Sequence, residues 1–212
     1  MYLSRIRLDS NRKETKLIVS SPQRVHAIVE GCFDEYREAE RGRTIWRLDY
    51  LNGNLYLLIV SEFVPNFSNC AEQLCKHGET GQTKDYVSFL SYIKNGQELR
   101  FRFRGNPVHS VVSDYGKRGK VMPHVSEHHK KEWLIKKSDA NGFAVDYDSF
   151  IIVETGQQRF YRSGEKNAVK LVFATYEGIL SVTDRELFIN ALCKGIGRGK
   201  AYGCGLITVM KM

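Results

Sequence analysis

Two places in the 212-residue chain hold residue types able to act on an anion. The first is "GIGRGKAYGCG", Gly195 to Gly205, with five glycines, the cations Arg198 and Lys200, and Lys194 just before it. Glycine lets successive backbone N–H groups approach an anion and turn towards it, so this stretch can cradle phosphate. The familiar nucleotide motifs do not fit its spacing. A G-x-G-x-x-G frame started at Gly195 ends on Lys200, and one started at Gly197 ends on Tyr202. A P-loop needs Gly-Lys-Ser/Thr, whereas Gly199-Lys200 is followed by Ala201. The order of elements differs as well, because "DRELFINALCKG" before the loop reads as a helix and "GLITVMKM" after it as a strand.

The second place is His26, an imidazole able to give or take a proton near neutral pH. The apolar stripe of its helix is Val25, Ile28, Val29, Cys32, Phe33 and Tyr36. His26 falls one residue off that stripe, on its margin, where it can face a cleft or serve as a half-buried structural histidine. Other constellations are weaker. Cys70, Cys75 and His77 come near a zinc spacing but lack a fourth ligand. His124 and His128 are four apart, yet His124 is expected to precede the helix and no carboxylate partner is evident. Neither set is read as a metal site.

The elements that must position these residues follow from the pattern. "MYLSRIRLD" alternates as a strand, and "SPQRVHAIVEGCFDEYREAE" is a helix with Ser21 as cap and Pro22 at its first position. "TIWRLDYL" and "NLYLLIVSEF" are strands about an Asn52-Gly53-Asn54 turn. "NCAEQLCKHG" is a short helix, and "QELRFRFRGNP" is an alternating strand with Arg100, Arg102 and Arg104 on one face and Phe101 and Phe103 on the other. The first half thus reads β-α-β-β-α-β, the ferredoxin-like plan. In the second half, "SEHHKKEWLIKKS" is a helix and "AVDYDSFIIVE", "QQRFYRS" and "AVKLVFATYEGILSV" are strands. The helix from Asp184, the glycine loop and the last strand complete a second unit of the same plan. The expected fold is α+β: two tandem ferredoxin-like, RRM-related βαββαβ domains, 1–112 and 113–212, with a cleft between them. The polar "VVSDYGKRGKVMPH" marks the boundary.

Composition limits the partner. Lys and Arg number 32 against 24 Asp and Glu, a net charge of +8 that suits a polyanion. No run approaches the roughly 18 apolar residues of a membrane span, and "MYLSRIRLDSNRKE" is too charged for a secretory signal. Five scattered cysteines look like reduced thiols used in packing. The expectation is a cytoplasmic protein with no membrane partner.

Several strings together resemble a known family. They are the "MYLSRIRL" strand, "FRFRGNP", the "EWL" helix, the "YEGILSVTD" strand-to-helix turn and "GIGRGKAYGCGLITV", and they span the chain. They look like the CasE family of CRISPR RNA-processing endoribonucleases of type I-E Cascade. The resemblance implies metal-independent cleavage of a repeat RNA beside its stem-loop, without cofactor or metal. It also implies retention of the 3' hairpin as a Cascade subunit beside other subunits, with DNA met only through the complex. His26, on the first helix in the family's register, becomes the catalytic base, with Gln23 and Arg24 beside it as RNA contacts. The family pattern has a tyrosine three residues before that histidine, where this chain has Gln23. Glutamine can hydrogen-bond a phosphate oxygen but cannot exchange a proton near neutral pH. The tyrosine's role is therefore not carried over. Either His26 works with weaker help, lysines and arginines doing the electrostatic part, or Tyr202 or a lysine replaces the tyrosine, or the chain is a hairpin-binding subunit whose cutting is weak or lost.

The remaining RNA contacts are expected in four groups. They are Arg102 and Arg104 on the arginine-faced strand, Lys117, Arg118 and Lys120 in the link, Arg159, Arg162 and Lys166 at a hairpin tip, and Lys194, Gly197, Arg198, Gly199 and Lys200 in the glycine loop. On this reading a side chain at Gly199 would obstruct RNA and spare the fold, whereas one at Gly195 would disturb the fold.

Overall fold

The computed structural model describes residues 1–33, 42–111, 119–161, 164–165 and 167–212. Tyr36, Lys117, Arg118, Arg162, Lys166 and the expected boundary at 112/113 lie outside them. The chain is a mixture of helices and antiparallel sheets.

The first sheet runs in the order β2-β3-β1-β4 and is antiparallel throughout. Its strands are β1 (Tyr2–Leu8), β2 (Ile45–Leu51), β3 (Asn54–Ser61) and β4 (Gln82–Asp85). In β1, Ser4, Ile6 and Leu8 point inward while Arg5 and Arg7 face solvent, the alternation of a strand with one wet face. In β3 every residue from Leu57 to Ser61 is buried, because both faces of the sheet are covered there. On one face lie α1 (Lys13–Val19), α2 (Pro22–Gly31) and α3 (Ser68–Leu74), which pack Val25, Val29 and Leu74 against Ile6, Leu57 and Ile59. On the other, Ile45, Leu58 and Val60 join a larger core shared with the second sheet. The β2–β3 turn places Asn52 and Gly53 at φ 50° and 76°, as a two-residue hairpin loop of this hand requires.

The second sheet runs β11-β5-β10-β8, and β9 also pairs with β10. These strands are β5 (Glu98–Gly105), β8 (Phe143–Ala144), β9 (Phe150–Tyr161), β10 (Ala168–Val182) and β11 (Ile207–Lys211). Leu99, Phe101 and Phe103 of β5 are buried, with Phe103 stacked on Trp133 at 6.2 Å and on Tyr176 at 5.9 Å. Trp133 belongs to α5 (Glu127–Asp139), which opens with Ser126 accepting a bond from the His129 amide. In α6 (Arg185–Lys194) the Asp184 carboxylate caps the amides of Glu186 and Leu187. A five-residue helix, α4 (Val87–Ser91), precedes β5.

Several expectations are corrected here. The "RFRFR" strand does not close the first sheet: β5 pairs with β10 and β11, and the fourth strand of the first sheet is the short β4. "FIIVE" and "QQRFY" are one twelve-residue strand, β9. The link holds a two-stranded sheet of β6 (Val108–Val111) and β7 (Lys120–Pro123). Helix α1 has no counterpart in the expected elements, and Ser21 precedes α2 without a side-chain cap bond.

Candidate functional site

Helix α2 lies against the glycine loop, where a 3-10 turn (Lys200–Tyr202) meets it. The His26 ring stands edge-on to the Tyr202 ring, at 6.1 Å between centroids and 75° between planes. Tyr202 in turn packs on Phe160 of β9 at 4.7 Å. His26 is half-buried, and its Nδ1 faces Glu30 Oε1 at 3.7 Å, one turn further along α2. Among the described residues, four buried polar atoms have no hydrogen-bond partner: Gln23 Oε1, His26 Nδ1, Trp46 Nε1 and Asn106 Oδ1. Three of their residues neighbour the loop: His26 through Tyr202, Asn106 beside Gly199 and Trp46 beside Gly203. A Cβ at Gly199 would come within 3.4 Å of Asn106 Nδ2, and one at Gly203 within 2.8 Å of the Trp46 ring. Buried polar atoms without partners are uncommon, and three of these residues lie beside the loop.

The loop is built by backbone conformation. Gly195, Gly197, Gly199, Gly203 and Gly205 have φ of 72°, 78°, 78°, 78° and 96°, a region that residues with a Cβ rarely enter. Its backbone bonds close on themselves and on β5, from Ile196 N to Gly205 O (2.9 Å), Tyr202 N to Gly199 O (2.8 Å) and Gly205 N to Arg104 O (2.7 Å). A side chain at Gly199 would meet Leu171 Cδ1 at 3.0 Å and Cys204 Cβ at 3.3 Å. The expectation that a substitution there spares the fold is thus corrected: Gly199, like Gly195, is required by conformation and packing. Gly197 is exposed, and a Cβ there would touch only the Trp133 ring, at 3.4 Å.

The cations differ in what occupies them. Lys194 and Arg198 are exposed. Lys200 donates to the Lys194 carbonyl at 2.8 Å, and burial, then the nearby Arg43 charge, holds its ammonium below the usual lysine range. Arg24 is exposed and donates to Leu17 O at 3.0 Å. Arg102 and Arg104, expected at an RNA surface, are engaged inside the protein. Arg102 bonds Asp49 Oδ1 at 3.0 Å and pairs with Glu177, while Arg104 lies 3.6 Å over the Phe173 ring with Glu154 3.7 Å away. Beneath them is Arg47, only 1% exposed, bonded to Asp49 Oδ2 at 2.9 and 2.6 Å, to the carbonyls of Arg102 and Leu206 at 2.8 Å each, and to Thr208 Oγ1 at 2.8 Å. Burial lowers the Arg47 pKa and the Asp49 carboxylate opposes that shift. Lys120 sits exposed on the small β6–β7 sheet, and Arg159 sits exposed on β9 opposite Lys170.

Among the described residues no group of three or more His, Cys, Asp or Glu could hold a metal ion. His124 precedes α5 and packs on His109 and His129, at 4.5 and 5.9 Å between ring centroids. All five cysteines are buried free thiols. No helix among the described residues is long and apolar enough to cross a membrane. Sequence reasoning missed Glu30 and Asn106. The i, i+4 spacing from His26 could have pointed to Glu30; Asn106 has no local signal beyond preceding a proline.

A family model described as CRISPR associated protein matches residues 1–211. The chain is 25% identical over 224 residues to the CRISPR-associated endoribonuclease Cse3 of Thermus thermophilus, covering 99% of each. It is 30% identical over 124 residues to the CRISPR system Cascade subunit CasE of Escherichia coli, covering 55% of this chain and 60% of that one. Among solved structures, Thermus thermophilus Cse3 bound to an RNA representing a pre-cleavage complex matches with a TM-score of 0.81 at 23% identity, over 99% of this chain and 98% of the other. Cas6e from Escherichia coli matches with a TM-score of 0.69 at 22% identity, over the whole of both chains. With a family match that runs from residue 1 to 211 and a fold shared along its length, the chain belongs to the CRISPR associated protein family.

Proposed function

We propose that the chain is a metal-independent endoribonuclease that cuts CRISPR precursor RNA beside the repeat stem-loop and stays on the 3' hairpin as a Cascade subunit. The likeness to Cse3 along nearly the full length of both chains supports the activity, and the partial likeness to CasE supports the assembly. The observation that carries the reading is the half-buried His26 at the contact of α2 with the glycine loop. In the reaction the imidazole takes the proton of the 2'-hydroxyl, the O2'–P bond forms, the P–O5' bond breaks and O5' is protonated. Lys194 and Arg198, with the exposed Gly197 amide, are the groups of the loop open to RNA phosphate. Gln23, one turn before His26, borders the same face of α2; Arg24, Lys120 and Arg159 are exposed cations that could add to a basic surface for a stem read by shape and phosphates. Lys117, Arg118, Arg162 and Lys166 belong to that surface by sequence.

The fold reading that accompanies this is two tandem ferredoxin-like units. The order β2-β3-β1-β4 with helical crossovers supports the first unit, and the pairing of β5 supports a division between β4 and β5 in place of one at 112. A cytoplasmic setting, with DNA met only through the complex, goes with the same reading.

A second reading, a hairpin-binding subunit with weak cutting, is favoured by one feature. Gln23 stands where the family has tyrosine, and its Oε1 is without a partner. Incubation with the cognate repeat RNA in EDTA separates the two. The endoribonuclease cuts, and His26→Ala lowers single-turnover cleavage by roughly 10² to 10⁴ with hairpin affinity unchanged. Binding without cutting supports the second reading, and cutting only with added metal refutes both.

A further inference from the structure

We infer that Glu30 is a positioning residue that keeps the His26 proton on Nδ1, so that Nε2 is the nitrogen that works on RNA. This rests on the endoribonuclease reading. His26 has two chemically different edges. Nδ1 is buried, has no hydrogen-bond partner and faces the Glu30 carboxylate at 3.7 Å. The side chain nevertheless keeps 29% of its surface exposed, so its open edge is the one that carries Nε2. The near-perpendicular Tyr202 ring restricts rotation of the imidazole and so preserves this division.

The tautomer then matters. A free neutral imidazole prefers its proton on Nε2, which would turn a donor towards the substrate and leave no lone pair to accept from the 2'-hydroxyl. A carboxylate at Nδ1 favours the opposite tautomer and stabilises the imidazolium that forms once the proton is taken. The elements packed against α2 bring other charged or titratable groups: Tyr202 and Lys200 from the 3-10 turn, Glu154 and Arg159 from β9, Lys16 from α1 and Glu72 from α3. Among the described residues, Glu30 is the carboxylate in contact with the ring. A second histidine–glutamate pair at the same spacing shows the contrast. His128 on α5 turns Nε2 to Glu132 at 3.5 Å and Nδ1 to the Tyr147 hydroxyl at 3.3 Å, so both nitrogens are occupied.

The test is Glu30→Gln, read in two ways. Long-range proton–nitrogen NMR of the RNA-free protein should find the His26 proton on Nδ1 in the parent and largely on Nε2 in the variant. Single-turnover cleavage of saturating repeat RNA should fall roughly 10-fold, a milder form of what an orienting carboxylate contributes in a buried triad, while hairpin Kd and Tm stay at the parent's values. An identical tautomer in both proteins overturns the inference, as does a rate loss matched by an equal loss of affinity. A parent chain that binds but never cuts refutes the endoribonuclease reading, and the NMR result still decides the role of Glu30.

Discussion

Strand β5 carries Arg100, Arg102 and Arg104 on one face, and the end of α6 with the loop after it carries Lys194, Arg198 and Lys200, yet the two stretches use their cations in opposite ways. On β5 the inner two guanidiniums are paired with carboxylates or laid on an aromatic ring, and they cover a buried arginine that bonds the backbone of β5 and of Leu206, just before β11. In the loop a single lysine is turned inward to a carbonyl, and the other two cations remain at the surface. A basic sequence pattern therefore indicates a polyanion surface only when the protein has not supplied the counter-charges itself. Burial and partner distance decide this, and residue type alone does not.

The largest effect that could break the contrast is at Asp49. Asp49→Ala leaves Arg47 as a buried cation without its carboxylate and should lower stability by about 3 to 5 kcal/mol in urea unfolding. A loss under about 1 kcal/mol would mean that the network is ornamental to the fold and that Arg102 is available to RNA. Next comes Gly199→Ala, which forces a Cβ into left-handed backbone against Leu171 and should cost about 1 to 2 kcal/mol, seen as a lower Tm. A parent-like Tm with weakened RNA binding would restore a purely contact-making loop. The smallest effects are electrostatic. Lys194→Ala with Arg198→Ala should flatten the salt dependence of RNA affinity by roughly one unit of slope for each phosphate that is no longer neutralised, whereas Arg104→Gln should leave that slope unchanged. Equal slopes for the two variants would erase the distinction between strand and loop.

How much of this was legible in the sequence depends on the range of the forces involved. His26 at the margin of its helix, the Asn52-Gly53 hairpin and the helix from Asp184 follow from local spacing, and each appears where the spacing puts it, whereas the Ser21 side-chain cap does not. The alternation of β5 was equally legible, but its sheet was not, since the partners β10 and β11 lie far along the chain and no local residue names them. Strand β4 is four residues without a buried position, so it carries no apolar signal. In the site, glycine's freedom in the loop could be read as phosphate contact, while the positive φ at five positions could not be seen without the backbone. The fate of Arg102 depended on Asp49, 53 residues away.

Arg47 also has a consequence for how the chain is made. Its guanidinium on β2 is completed by a carbonyl 159 residues later, at Leu206, and by the Thr208 hydroxyl on β11. Protein synthesis delivers the amino-terminal sheet long before those acceptors leave the ribosome. Until they arrive, the nascent first sheet holds an ionic seam open to water along the edge that later becomes interior. Folding of the first sheet is thus finished by the arrival of β11. A ribosome-stalled chain that ends before Leu206 should stay protease-sensitive around β2, although every residue of its own sheet has already emerged.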